Sequence, residues 1–171
     1  MILTALEKLD RMTVTTVSPD GGIRLRLRNE RDIDCAFRSE DVFREYDAEN
    51  LAHQIGESLC DLERRRRAGV RRILADAGRG FADETGPHWD AQRRRYREAL
   101  AAMRAEGQSG RGSILVTVDG AWTDFTVEID PRLSRKLDMK GFAAELGSAY
   151  RLLRFTHNQK RRSLKDRYLP R

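Results

Sequence analysis

Apolar residues recur at every second position in two neighbouring stretches of the second half of the chain. The first series is Ile114, Val116 and Val118, and the second is Phe125, Val127 and Ile129. Such alternation of β-branched and aromatic residues is typical of half-buried strands. Asp119-Gly120 follows the first stretch, where the chain must reverse. Pro131 has no N–H for a strand ladder, so the second strand should end near Asp130. The pattern predicts an antiparallel hairpin.

An apolar stripe with helical spacing follows the hairpin. Its members lie three or four residues apart: Phe142, Leu146, Ala149, Tyr150 and Leu153. This spacing places them on one face of an α-helix. Asp138 precedes the stripe and is a suitable N-cap. We therefore predict a long amphipathic helix that begins near Asp138.

A similar order of elements occurs about 90 residues earlier. Its apolar positions are Ile23, Leu25 and Leu27, then Ile33, Cys35 and Phe37, and finally Leu51, Ile55, Leu59 and Leu62. The last group predicts a helix over residues 47–75, introduced by a Tyr-Asp-Ala-Glu-Asn-Leu-Ala segment that parallels residues 137–143. We interpret the two stretches as a divergent internal repeat of a ββα unit, with chance similarity as the alternative.

The remaining segments set the predicted domain boundaries. Residues 1–8 read as a short helix and residues 89–106 as a second helix, while residues 107–112 read as a flexible lead-in to the hairpin with no clear first strand. Gly, Asp and Pro concentrate in residues 75–87. We expect a first unit over residues 1–77, a linker over 78–87 and a second unit over 88–171.

Several of these segments together resemble a known family. They are Gln108-Ser109-Gly110, the strand 114–118, Asp119-Gly120, the string Val127-Glu128-Ile129-Asp130-Pro131, and Leu133. They look like the YbaB/EbfC family of small bacterial nucleoid-associated, DNA-binding proteins. The resemblance is close over about residues 92–164 and extends to residues 13–74 only in pattern.

The resemblance implies a fold and a function. Members of that family have a helix, a three-stranded sheet and a second helix, and they form homodimers. It therefore implies an α+β fold here, in which tandem units of antiparallel β-hairpin plus long helix form a pseudo-dimer, around a shared sheet or across a pseudo-two-fold axis. A homodimer of two such chains stays open. Some divergent relatives serve secretion systems as accessory proteins, which implies an alternative function.

Charge adds a candidate surface to this picture. The net charge is +6, and 28 of the 33 basic residues are Arg, the side chain that forks onto phosphate oxygens. Three clusters are the candidate DNA-binding residues. They are Arg64, Arg65, Arg66, Arg67, Arg71 and Arg72; Arg93, Arg94, Arg95 and Arg97; and Arg151, Arg154, Lys160, Arg161 and Arg162. The alternative is that these are solvated helix faces, partly neutralised by Asp61, Glu63, Asp90 and Glu98.

No pattern typical of a catalytic or metal centre is present. The Gly-rich residues 107–112 lead into a strand and lack the Lys-Ser/Thr pair of a phosphate-binding loop. Asp119 and Asp130 are interpreted as turn residues, and Cys35 and Cys60 as reduced structural residues. We predict a protein that is not an enzyme and needs no cofactor.

The sequence leaves the roles of the histidines and of Trp122 open. His53 and His157 are expected at the surface, and His88 in a loop, with a phosphate contact by His157 as the less favoured alternative. Trp122 lies at the hairpin tip, where it either stacks on a partner or folds back onto the sheet.

The expected function follows from the resemblance and the Arg clusters together. It is largely sequence-nonspecific binding of double-stranded DNA by a cytoplasmic, nucleoid-associated protein, with a role in transcription left open. No run of about 18 apolar residues exists, so no membrane span is expected. The alternative is a protein–protein adaptor, such as a secretion-accessory protein or chaperone, on the same fold.

Overall fold

The computed structural model describes residues 3–80 and 90–169 of the chain. Its first part contains α1 (Ala5–Asp10), β1 (Thr13–Val17), β2 (Ile23–Arg28), β3 (Asp32–Phe37), α2 (Glu40–Glu45) and α3 (Ala48–Asp76). Its second part contains α4 (Ala91–Ala102), β4 (Arg104–Gln108), β5 (Ile114–Asp119), β6 (Phe125–Ile129), α5 (Pro131–Ser134) and α6 (Met139–Tyr168). The predicted α+β class is confirmed. Most of the predicted linker, residues 81–87, lies outside the described residues, as does His88.

The strands form two separate antiparallel sheets, in the orders β1-β2-β3 and β4-β5-β6. Both predicted hairpins are confirmed, with Ile23 opposite Phe37 and Ile114 opposite Ile129. Each hairpin is preceded by a further strand that the apolar pattern did not predict. The predicted helix over 89–106 was wrong at its end, because α4 stops at Ala102 and the next residues pair with β5. The predicted flexible lead-in was also wrong, since Gly107 belongs to β4.

The turns that open the two hairpins are closely similar. The backbone N–H of Ser18 donates to the carbonyl oxygen of Ile23 in the first, and that of Ser109 donates to the carbonyl oxygen of Ile114 in the second, both at 2.8 Å. In each case the serine Oγ accepts from the backbone N–H of the isoleucine at 3.0 Å. A glycine closes both turns in the left-handed region, with φ of 76° at Gly21 and 75° at Gly112. Such values favour a residue without Cβ, so each turn depends on its glycine.

The two halves also match in spacing. β1 and β4 begin at Thr13 and Arg104, β2 and β5 begin at Ile23 and Ile114, and α3 and α6 begin at Ala48 and Met139, an offset of 91 residues in each case. The long helices have equivalent N-caps, in which the side chains of Asp47 and Asp138 accept from the backbone N–H three residues later. This agreement in order, turns and caps is what an internal repeat predicts.

Each long helix packs on both sheets. The helix α3 contacts β1 and β2 of its own sheet and β6 of the second, while α6 contacts β4 and β5 of its own sheet and β3 of the first. Glycines make the crossed contacts close: a Cβ on Gly56 would lie 3.6 Å from the Phe125 carbonyl oxygen, and one on Gly147 would lie 3.5 Å from that of Ile33. The halves therefore bury their apolar faces together, in one hydrophobic core.

The packing of the two helices on their own first strands differs. A Cβ on Gly107 of β4 would lie only 2.1 Å from the Ala149 carbonyl oxygen of α6. The equivalent position in β1 is Thr16, which is 2% exposed and donates its hydroxyl hydrogen to Asp61 of α3. The second helix can therefore lie directly on its strand, whereas a polar contact separates the first helix from its strand.

Candidate nucleic-acid interface

The second predicted basic cluster lies on α4. Asp90 caps this helix by accepting from the backbone N–H groups of Gln92 and Arg93. Tyr96 and Leu100 are 3% exposed and anchor the helix. Arg93, Arg94 and Arg95 are exposed, and Arg97 is half-buried. Cap and anchors thus fix a helix whose first turns present three consecutive guanidinium groups to solvent.

Most of the third cluster lies on the C-terminal half of α6, against which α4 packs. The two helices meet near His157, because Leu100 of α4 lies against Gly120, whose carbonyl oxygen is 2.9 Å from the His157 Nε2. One turn further along α6, Lys160 Nζ donates to the carbonyl oxygen of Arg104, just after α4 ends, at 2.7 Å. Arg162 is exposed and Arg161 half-buried. The second cluster and Lys160, Arg161 and Arg162 therefore lie on two helices that are in contact. We call α4 together with residues 157–168 the basic arm.

The first cluster has acidic partners within its own helix. Arg64 and Arg65 both pair with Asp61, at 3.3 and 2.7 Å. The Thr16 hydroxyl and the Arg65 and Arg64 charges hold the pKa of Asp61 below its usual value although partial burial opposes this. Arg71 and Arg72 lie further along and are exposed. Arg64 and Arg65 therefore follow the alternative interpretation, in which nearby acidic side chains partly neutralise the cluster.

Arg66 and Arg67 belong to a largely buried network. Glu63 is 3% exposed and accepts from Arg66 Nε and Nη2, both at 2.8 Å, and from Arg67 Nε at 3.3 Å. Arg66 also pairs with Glu30 in the β2–β3 turn at 3.0 Å, and Arg67 donates to the Ala121 carbonyl oxygen in the β5–β6 loop. Burial opposes the charge of Arg66, yet its bonds to Glu63 and the charge of Glu30 raise its pKa. These two guanidiniums join α3 to turns of both sheets.

Arg151 and Arg154, from the third cluster, also join the halves. Arg151 pairs with Asp32 of β3 at 2.8 Å. Arg154 pairs with Glu30 at 3.2 Å, and its guanidinium lies 5.0 Å from the centre of the Trp122 ring, a cation–π distance. Only 16% of the Arg154 side chain is exposed. Arg154 is therefore a structural link in the folded chain, and Arg151 remains two-thirds exposed beside its partner.

Two aromatic side chains from the sequence analysis have definite positions. Trp122 folds back and is 5% exposed, packing edge-on against Phe125, Tyr150 and His157. The expectation that His157 lies at the surface was wrong: it is 6% exposed, and burial lowers its pKa. Its position on the helix, opposite Gly120, places His157 beneath the hairpin tip. No local sequence pattern reveals this contact. His53 is exposed, as predicted.

A further basic row was missed because it lies on a strand. Arg24, Arg26 and Arg28 occupy the exposed positions of β2, while Ile23, Leu25 and Leu27 between them are at most 2% exposed. The signal was present in the Ile-Arg-Leu-Arg-Leu-Arg alternation, since residues two apart on a strand share a face. This row points away from the core, on the outside of the first sheet.

The acidic residues singled out earlier have turn and cap roles. Asp119 accepts from the backbone of Thr123 and Asp124, and Asp130 caps α5. Burial raises the pKa of the Cys35 thiol to about 12, which disfavours the thiolate. Within residues 3–80 and 90–169, no group of three or more His, Cys, Asp or Glu side chains is placed to hold a metal ion. No helix in that part of the chain is long and apolar enough to cross a membrane.

A cleft of about 980 Å³ lies between the starts of the two long helices. Phe43, Leu51 and Phe142 contribute apolar lining, and Lys136 and Lys140 lie on the α5–α6 side. The Phe43 and Phe142 rings are 6.0 Å apart. Both halves therefore contribute to one concave, partly apolar surface.

The class of fold is a tandem arrangement of two three-stranded antiparallel sheets, each followed by a long helix that crosses onto the other sheet. No family model, no curated protein and no solved structure matches the chain.

Proposed function

We propose that this chain is a non-enzymatic protein that binds the phosphate backbone of double-stranded DNA, largely without sequence preference. The observation that supports the proposal is that α4, which carries Arg93, Arg94 and Arg95, packs against α6, which carries Lys160, Arg161 and Arg162. Arginines form charge-assisted bonds with phosphate oxygens, and several of them along one surface give the salt-sensitive, sequence-independent affinity typical of backbone binding.

Arg93, Arg94 and Arg95 of the arm differ from the first four arginines of α3 in their ion pairs. Arg64 and Arg65 share Asp61 and Arg66 and Arg67 share Glu63. Arg93, Arg94 and Arg95 are exposed on the first turns of α4. An arginine already bound to a carboxylate has part of its charge neutralised and fewer N–H groups left for a phosphate. The proposal therefore assigns the main phosphate contacts to the arm, and a smaller part to α3.

The proposal includes the YbaB-like arrangement expected from the resemblance. In it, the two halves are the subunits of a pseudo-dimer joined in one chain, acting in the nucleoid of the cytoplasm. The matched turns and caps support this, as do the crossed contacts of Gly56 and Gly147. A duplicated unit that later diverged would retain such features while its surface charges changed.

The test is fluorescence anisotropy of a labelled duplex of about 30 base pairs at several salt concentrations. The arm variant is R93E/R94E/R95E, and the matched control is R132E/R135E/K136E, which changes the net charge equally at exposed positions far from α4 in sequence. We expect the arm variant to lose binding and to reduce the slope of log K against log salt by about 3, one unit for each lost phosphate contact. The control should bind nearly as the original chain does.

Two results would refute the proposal. One is equal loss in both variants, which would mean that only the net charge matters. The other is no measurable binding by the original chain near about 150 mM salt, where backbone binders retain micromolar or weaker affinity.

A protein–protein adaptor on the same fold is the second candidate. The cleft between the starts of α3 and α6 favours it, because a concave surface with an apolar floor and a polar rim suits a peptide or a small domain. The discriminating result would be a stoichiometric protein partner whose binding is lost on Phe43→Glu while DNA binding persists.

A further inference from the structure

The outer faces of the two sheets carry opposite charge. On the first sheet the exposed positions of β2 are Arg24, Arg26 and Arg28, with Thr13, Thr15 and Val17 beside them on β1 and Asp32, Asp34 and Ala36 on β3. We name these nine residues the basic sheet face. Arg24 stands between Val17 and Ala36, neither of which can neutralise it. Arg26 and Arg28 share the carboxylate of Asp34, both at 3.1 Å, whereas Asp32, opposite Arg28, pairs with Arg151 at 2.8 Å.

The corresponding face of the second sheet is acidic. Its outward residues are Arg104, Glu106 and Gln108 on β4, Leu115, Thr117 and Asp119 on β5, and Thr126 and Glu128 on β6. We name these eight residues the acidic sheet face, because its three carboxylates outnumber its one guanidinium. Glu106 and Glu128 are exposed, and neither has a described ion-pair partner. Leu115 lies between Gln108 and Glu128 and is half-buried.

The fold itself does not require this difference. Arg24 and Arg26 occupy the positions in β2 that Leu115 and Thr117 occupy in β5, and both strands are central in sheets of the same order. Alternate residues of a strand are about 6.7 Å apart, so a row of arginines repels itself. Thr at such a position would suit the strand better. An acidic partner outside the chain would stabilise the row.

The basic sheet face suits a protein surface better than a nucleic acid. Asp34 is 43% exposed in the middle of the row, and it would face a phosphate backbone with a like charge. Val17 is 51% exposed at one corner, where an apolar contact is available but a phosphate gains nothing. A partner with a few carboxylates around a small apolar centre matches better, and Glu106, Glu128 and Leu115 form such a surface on this same chain.

We propose that the basic sheet face of one copy docks on the acidic sheet face of a second copy. The contact joins two different surfaces, so it is head-to-tail. Each docked pair leaves one free face of each kind, and association continues into open chains unless the rotation closes a ring. Because exposed charges contribute, the association should weaken as salt rises. This inference does not depend on DNA binding.

Sedimentation velocity without nucleic acid tests the contact, from about 1 to 100 μM protein at low and at about 150 mM salt. The original chain should form species larger than a monomer, more so at low salt. R24E/R26E and E106K/E128K should each weaken association about tenfold or more, since each sets like charges against each other. The fourfold variant R24E/R26E/E106K/E128K should associate again, and so should a mixture of the two double variants.

Two controls keep the test sharp. R24E alone changes a residue with no described ion pair and should weaken association without changing thermal stability. R132E/R135E matches the charge change of R24E/R26E elsewhere and should associate as the original chain does.

Three outcomes would overturn the inference. The original chain could remain a monomer at all concentrations. The fourfold variant could fail to regain association although its circular dichroism shows a folded protein. R24E could leave association unchanged and weaken duplex binding, which would assign the basic sheet face to nucleic acid.

Discussion

Replacing Glu63 with Gln should destabilise the entire chain, well beyond the effect of losing one surface ion pair. Glu63 is 3% exposed and accepts three N–H groups from Arg66 and Arg67. Exposed pairs contribute about 0–1 kcal/mol, whereas removing one partner of a buried pair costs about 3–5 kcal/mol. Gln keeps the shape and one carbonyl oxygen, and Arg66 keeps Glu30 at 3.0 Å. We therefore expect a loss at or just below the lower end of that range, about 2–3 kcal/mol.

Urea unfolding followed by far-UV circular dichroism and tryptophan fluorescence measures this loss. Both probes should give one coincident transition, because Glu30 links Arg66 of α3 to Arg154 of α6 and the halves share one core. The matched control is Glu57→Gln, an exposed position on the same helix, which should change the free energy of unfolding by less than about 0.5 kcal/mol.

A double-mutant cycle separates the pair from its surroundings. Glu63→Gln and Arg66→Met should couple by more than about 1 kcal/mol, because each leaves the other's charge buried and poorly satisfied. The reasoning is refuted if Glu63→Gln costs no more than Glu57→Gln, or if the two losses simply add. Either result would mean that water replaces the lost contacts and that the network is in effect a surface feature.

Two further perturbations test other parts of the fold. Gly107→Ala should destabilise the chain by about 1–3 kcal/mol or more, because its Cβ would lie 2.1 Å from the Ala149 carbonyl oxygen. The control is Gly110→Ala, whose Cβ would have no neighbour within 4 Å and which should be nearly neutral in the same urea titration. Burial lowers the pKa of His157 from 6.5. As pH falls, the unfolded chain therefore binds a proton at this residue at a higher pH than the folded chain does. The free energy of unfolding should then decrease as pH falls below about 6.5. His157→Gln should remove that part of the decrease between pH 7 and about 5.5, and parallel curves for the two proteins would contradict a buried neutral imidazole.

The strands show where local pattern sufficed and where it failed. β2, β5 and β6 were predicted because large apolar residues alternate along them. β4 was missed because its inward positions are only Ala105 and Gly107. Those residues are small for a tertiary reason, namely that α6 lies directly on the strand and leaves no space for a larger side chain. A close contact therefore removed the apolar signal by which a strand is ordinarily found.

The basic clusters show the same limit at the candidate site. Their presence and their location on helices were evident from the sequence. Which arginines stay available depends on carboxylates brought from elsewhere, such as Glu30, which binds Arg66 and Arg154 from two different helices. His157 likewise appeared to be one polar residue among many, and became a core residue because the hairpin tip covers it. Such partners are separated by tens of residues, so no window of the sequence contains both.

The sequence by itself determined the features set by near neighbours: the alternation of the hairpins, the helical stripes, the caps at Asp47 and Asp138, and the approximate repeat. These follow from backbone geometry over two to four residues. Only the tertiary structure decided that each long helix crosses onto the other sheet, that two basic segments share one arm, and that the sheet faces differ in charge. Those features depend on burying two apolar surfaces together, which is a property of the whole chain.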